Sequence, residues 1–352
     1  MRNLVGLVVI LLIPSTAIVA WQGYSFLQVG SQAHSEEVIF TISPGTNFNS
    51  VTQELESKDL IRNKWAFLVV AKIVGYTTRV QAGEYRLDKN MPPMEILKVI
   101  YSGKSVNYPF TVQEGLNMFE IATRLEKNKF TDRKEFIKLA RDQKFIKKLL
   151  GKPLPSLEGY LFPETYNLTK HITAREIIKI MVKRFLSVYK EVQSLSKVQM
   201  TRHEAVILAS IIEKETGAEE ERPLISSVFH NRLRSNMRLQ SDPTILYGIM
   251  ARTGKMKKNI TRKDIRSYSP FNTYRVNGLP EGPIANPGRE ALLAAIKPAT
   301  SDYFYFVSRN DGTHKFSKTL KAHNSAVRRF QLNRKERQGK SWRDLHKKKQ
   351  KN

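Results

Sequence analysis

Residues 205–216, AVILASIIEKET, set the strongest limit on what this chain can fold into. Wound as a helix, the stretch is apolar almost all the way round, with Ser210 and Lys214 marking one narrow polar edge. Such a helix is stable only when other protein surrounds it, so the chain must build a layered domain about it. Two carboxylates, Glu213 and Glu215, nevertheless fall in its last turn, just ahead of Gly217. Glu213 projects between Ala209 and Val206, and Glu215 between Leu208 and Ile211. Both are candidates for burial, and at about 200° apart they cannot flank the same bond. The residues alone leave two readings open for each. Burial and the negative helix end would keep a carboxyl protonated, as a general acid requires. Alternatively, each carboxylate is half of a structural ion pair with an arginine.

A second constraint lies at the amino terminus. Leu4–Trp21, LVGLVVILLIPSTAIVAW, is one uncharged apolar run about as long as a bilayer-spanning helix. A cleavable signal peptide would have a shorter apolar core and small residues at its cleavage site, whereas Ile18-Val19-Ala20 begins with a large one. The expectation is an uncleaved single-pass anchor over 4–21. Arg2 precedes the run and no Lys or Arg follows until Lys58, which keeps residues 1–3 in the cytoplasm and exports the rest.

The exported part reads as α+β. VIFTI (38–42) alternates as a strand, residues around Val51 and Leu55 have helical spacing, and NKWAFLVVAKIVG (63–75) is a second helix ended by Gly75. AGEYRL (82–87) is a strand, and PPMEILKVIYSG (92–103) a helix with Pro at its start and Gly at its end. Residues 37–104 thus predict a small β-α-α-β-α module of LysM-like dimensions. Residues 105–331 predict a mostly helical α+β domain whose C-terminal part is a hairpin turning at Asn310-Asp311-Gly312. Within this domain, 112–126 echoes 42–56, with Gly, Asn, Leu and Glu at matching positions, as two strand–turn–helix units would. Residues 332–352 read as a solvated basic tail.

With 59 Lys and Arg against 32 Asp and Glu, the formal charge is +27, which favours an anionic surrounding: nucleic acid, a membrane face or an acidic polymer. Export and the diffuse spread of the charge argue against nucleic acid. The chain has no cysteine, hence no disulfide or thiolate metal site. HEAVI (203–207) has Ile207 where a zinc-protease helix needs its second histidine, and GKS (103–105) follows Lys98 where a phosphate loop needs glycine. No His spacing predicts a metal.

LASIIEKET, SVFHNRL, MRLQSDPTILYG, SPFNTY, GLPEGPIANPG and FVSRNDGTHKFSKT, together with LEGYLFPETY, resemble the endolytic murein transglycosylases of the YceG-like family, in order and spacing from the anchor to about residue 331. The resemblance implies a bacterial inner (plasma) membrane protein whose LysM-like module and catalytic domain face the periplasm or the outer surface. It implies cleavage of peptidoglycan glycan strands without water, leaving 1,6-anhydro-N-acetylmuramic acid ends, near cell-wall synthases, with no metal or organic cofactor. The family's catalytic glutamate is the first of the E-K-E-T motif, here Glu213. Glu164, Gln240, Asp242, Tyr247, Asn286 and His314 lie in motif segments and carry side chains suited to sugar hydroxyls or acetamido groups; a purely structural role is open for each. Three rival functions remain: a non-catalytic peptidoglycan-binding protein, a two-carboxylate hydrolase with Asp242 as second group, and a pyridoxal-dependent lyase. For the last, no phosphate cup stands beside a candidate Schiff-base lysine.

Overall fold

Val38, Phe40 and Ile42 alternate with polar residues, and the strand they predict forms: β1 (Glu37–Ile42) pairs antiparallel with β2 (Gly83–Asp88), Phe40 opposite Tyr85 and Val38 opposite Leu87. The computed structural model describes residues 27–77 and 80–333. They form two units, one running to Phe110 and including Asn167–Ile172, the other comprising Thr111–Tyr166 and the chain from Thr173. The expected membrane span at 4–21 and nearly all of the basic tail lie outside the described residues. Among the described residues no helix is long and apolar enough to cross a membrane.

In the first unit, α1 (Phe48–Ser57) and α2 (Lys64–Ile73) follow β1, and α3 (Pro93–Ser102) follows β2, in the order β-α-α-β-α. Asn47 and Asn63 cap α1 and α2 by accepting backbone N–H groups at the first turn. Phe40, Ile42, Val51, Leu55, Phe67, Tyr85, Leu87, Ile96 and Leu97 meet in one buried core.

The second unit is mostly helical. Met118–Lys127 (α4), Arg133–Ala140 (α5) and Gln143–Leu150 (α6) precede the long Ala174–Gln193 (α7) and Arg202–Glu215 (α8). Beyond α8 come α9 (Arg222–Arg234), α10 (Asp242–Thr253), α11 (Arg262–Arg266), α12 (Arg289–Ile296) and α13 (Leu320–Val327). Helix α8 is the centre the sequence demands: Ala205 to Ile212 are all buried, with α12, α9 and α10 packed on it. Its five buried Val, Ile and Leu side chains contribute on the order of 10 kcal/mol before entropy. Ser210 departs from the expected polar edge. It is fully buried, giving its hydroxyl to the Ile207 carbonyl (2.7 Å) and accepting the Ile284 N–H (3.0 Å). A serine pays its own hydrogen-bond debt this way, so an apolar neighbour can cover it.

The hairpin forms as read: β5 (Tyr305–Ser308) pairs antiparallel with β6 (His314–Ser317), with Asn310 and Gly312 at positive φ in the turn. Two further strands pair with each other: β3 (Tyr108–Thr111), which leads into the second copy of the internal echo, and β4 (Thr165–Leu168), for which the sequence gives no strand signal. Four residues are too few for alternation to stand out. Both copies of the internal echo are strand–turn–helix units: Gly45 and Gly115 lie at φ 82° and 74°, and Asn47 and Asn117 cap the helices that follow.

Candidate active site

Helix α8 ends because Thr216 turns extended and Gly217 lets the hairpin tip approach. A Cβ on Gly217 would stand 2.6 Å from the Gly312 carbonyl oxygen. A short 3-10 turn, Glu219–Glu221, then reverses the chain into α9, whose first residue is Arg222. The reversal brings Arg222 back over the end of α8. Its Nη2 lies 3.6 Å from Glu213 Oε1 and 3.5 Å from Glu114 Oε2, and its Nη1 lies 3.8 Å from Glu219 Oε2. The side chains of Arg222 and Glu213 are 8% and 7% exposed, against 47% for Glu114. The Glu213 side chain is therefore both buried and ion-paired, and the arginine pair is the second of the two readings that the sequence leaves open.

The other Glu213 oxygen, Oε2, accepts the Gly288 N–H at 3.1 Å. Gly288 is the N-cap of α12, so the carboxylate faces the positive end of a helix. Gly115 closes the opposite side: a Cβ there would come within 3.5 Å of Glu213 Cγ, and Lys214 Nζ donates to the Gly115 carbonyl at 3.1 Å. A Cβ on Gly288 would overlap the Glu114 carboxylate. Two glycines from distant segments thus let the backbone approach the Glu213 and Glu114 carboxylates closely. Burial raises the Glu114 carboxyl above the usual range, and the charge of Glu213 raises it further; Arg222 opposes both. Arg222 thus bridges two close carboxylates at the end of α8.

Glu215 points elsewhere. Its Oε1 accepts the Ser241 hydroxyl at 2.6 Å, and burial pushes its carboxyl up to about 7, with the nearby Asp242 charge adding to the rise. Asp242 opens α10 and accepts the Tyr274 hydroxyl at 2.7 Å. Ser241, the N-cap residue, spends its hydroxyl on Glu215 and makes no capping bond.

The remaining sequence candidates separate into different environments. Asn286 is fully buried: its amide donates to Leu116 O (2.9 Å) and Glu158 (3.0 Å), and its Oδ1 accepts the Leu161 N–H (2.9 Å). Its backbone carbonyl accepts the Gly115 N–H, so it fixes the loop beside Glu213. His314 Nδ1 is 2.7 Å from Glu221 Oε2, one residue before Arg222. Glu164 pairs with Arg184 at 2.5 Å. Tyr247 is buried edge-on against Phe271, with its hydroxyl bonded to Glu158. Gln240 is exposed at φ 50°. Among the described residues no hydrogen bond or ion pair links Glu164, Gln240, Asp242 or Tyr247 to Glu213, and no group of three or more acidic or histidine side chains could hold a metal.

Sequence reasoning misses Arg222, Glu114, Gly288 and Glu158. The available signal is weak: Glu114-Gly115 sits in the turn of the internal echo, and Gly288 closes the Pro- and Gly-rich GLPEGPIANPG.

Comparison with known proteins adds to this geometry. The profile of the YceG-like family matches residues 40–329. A Bacillus subtilis (strain 168) protein named endolytic murein transglycosylase is 35% identical over 328 residues, covering 88% of this chain and 89% of that one. A Streptococcus pneumoniae (strain R6) protein of the same name is 32% identical over 301 residues, 76% of this chain and 53% of that one. The crystal structure of a yceG-like protein from Listeria monocytogenes, 35% identical, superposes with a TM-score of 0.56 over 83% of this chain and 100% of that one.

Proposed function

The chain belongs to the YceG-like family, and from that premise we propose that it is an endolytic murein transglycosylase with Glu213 as its single acid–base group. The names of its relatives support the reaction class. The observation that carries the residue is the Glu213 carboxyl itself, held between Arg222 and the Gly288 N–H.

The chemistry follows from one carboxyl working twice. Protonated Glu213 gives its proton to the glycosidic oxygen between N-acetylmuramic acid and N-acetylglucosamine as the C1–O bond breaks. The positive charge developing at C1 and its ring oxygen is then met by the muramic C6 hydroxyl oxygen, which bonds to C1 while its proton passes to the Glu213 carboxylate. No water is consumed, and the product carries a 1,6-anhydro ring. Between the steps, Arg222 and the Gly288 N–H stabilise the carboxylate, without reorganising, at the moment it forms. The scheme uses no cofactor or metal. Residues 4–21 anchor the enzyme in the plasma membrane, the β-α-α-β-α unit acts as a LysM-like glycan grip, and cell-wall synthases supply nascent strands.

A second reading rests on Glu215, whose carboxyl lies near neutrality beside Asp242. That pair suits a two-carboxylate hydrolase. Mass spectrometry of products from uncrosslinked glycan separates the two: chain ends one water lighter support the transglycosylase, and reducing ends support the hydrolase. A reporter fused after Asn352 that is active only outside the cytoplasm supports the anchor; a cytoplasmic carboxy terminus removes the enzyme from its substrate and overturns the proposal.

A further inference from the structure

Away from Glu213, an open cavity of about 630 Å³ lies between the hairpin and the last helix. Its lining includes Arg309, Lys315 and Arg329 together with Ala322, Ala326 and Phe330. Asp311 is the one acidic residue in the lining, and it is already engaged: it accepts the Thr313 N–H at 2.9 Å and the Thr313 hydroxyl at 2.7 Å. None of the three cations makes a side-chain hydrogen bond or ion pair among the described residues; Arg329 merely lies over the Phe330 ring. The walls are clipped together, since Asn310 Nδ2 donates to the Phe330 carbonyl (2.6 Å) and Gln331 Nε2 to the Ser308 carbonyl (2.8 Å). Arg328–Leu332, a single π-helical turn, is thereby pinned to the edge of β5.

Three cations around one concavity repel one another, and Asp311, whose charge interacts with Arg309, is the single carboxylate in the lining to offset them. Two guanidinium forks and an ammonium match an anion with several oxygens. We propose that this cavity is a binding site for a phosphate-type anion, a diphosphate or phosphodiester, borne on a lipid or free in solution. Ala322, Ala326 and Phe330 in the same lining give the apolar part of a lipid-linked anion a surface to lie on. This site does not depend on the reaction assigned to Glu213.

The test uses the full chain in detergent, titrated calorimetrically with inorganic pyrophosphate at fixed ionic strength. Saturable binding is expected, weakened about tenfold or more in an Arg309→Gln/Lys315→Gln/Arg329→Gln variant. A control variant, Lys144→Gln/Lys147→Gln/Lys148→Gln, removes the same charge from exposed positions on α6 and should bind as the parent does. All six side chains are exposed, so matched circular dichroism should confirm that both variants fold. Equal weakening in the two variants, or no saturable binding by the parent, overturns the proposal and leaves only diffuse charge. Competition with phosphatidylglycerol vesicles identifies the source. Displacement of pyrophosphate by the vesicles means that the cavity takes the lipid headgroup. Pyrophosphate binding unmoved by the vesicles means that it takes a free diphosphate.

Discussion

Replacing Glu158 by glutamine should reverse part of the pH dependence of folding. Glu158 is 1% exposed, and its carboxyl accepts the Met118 N–H (3.0 and 3.1 Å) and the Asn286 amide (3.0 Å), with a further bond to the Tyr247 hydroxyl. Burial outweighs these donors and raises the carboxyl from 4.5 to about 8. The folded protein therefore keeps a proton that the unfolded chain releases. Stability from this group is complete at low pH, falls as pH rises through the window between 4.5 and about 8, and levels off above it. At about 1.36 kcal/mol per pH unit the whole window amounts to at most about 5 kcal/mol. Glutamine stays neutral throughout, so comparing variant with parent cancels the similar contribution of Glu215. Urea unfolding followed by far-ultraviolet circular dichroism at about pH 5 and about pH 8 should move in the variant's favour by about 3 kcal/mol or more between the two. A difference that does not change with pH refutes the argument, and one that moves in the parent's favour means Glu158 is ionised in the fold.

Other consequences are local. Gly159 lies at φ 83°, and a Cβ there would stand 2.6 Å from Val206 and 2.7 Å from Pro283, so Gly159→Ala should cost about 3 kcal/mol in the same unfolding assay. Arg222→Gln leaves two carboxylates without their shared cation; it should lower stability by about 3 kcal/mol and glycan cleavage by about tenfold or more, measured on purified protein. With a net charge of +27, binding to isolated sacculi should weaken steeply as salt rises, while cleavage of a short soluble glycan should change far less; equal dependence would move the basic residues into the cleft.

The legible parts of this protein are those whose causes are local. The echo of 42–56 in 112–126 announces two strand–turn–helix units because turn and cap residues act within a few positions, and Asn310-Asp311-Gly312 announces the hairpin because positive φ is a property of single residues. The central place of α8 follows from its all-round apolarity. What surrounds Glu213 follows from no such rule. Glu114 and Gly288 are far from it in sequence, and Arg222, only nine residues on, reaches it because the chain reverses at Gly217 and Glu219–Glu221. The buried role of Asn286 is equally non-local, since its partners Leu116, Glu158 and Leu161 converge only in the fold. Periodicity separates Glu213 from Glu215 by direction; it cannot say which carboxyl meets an arginine and which meets a serine.

The central claim is that Glu213 carries the proton in both steps, and the most direct measurement compares Glu213→Gln with Glu215→Gln and the parent on uncrosslinked glycan. Glutamine keeps the size of the side chain and its acceptor for the Gly288 N–H, so folding and glycan binding should persist in the Glu213 variant. Release of anhydro-ended products, followed by mass spectrometry, should then fall by roughly 10²–10⁴-fold or more. The Glu215 variant keeps an acceptor for Ser241 and should retain most of the activity. Loss of cleavage in the Glu215 variant with retention in the Glu213 variant would contradict the assignment and move the acid two residues along the helix.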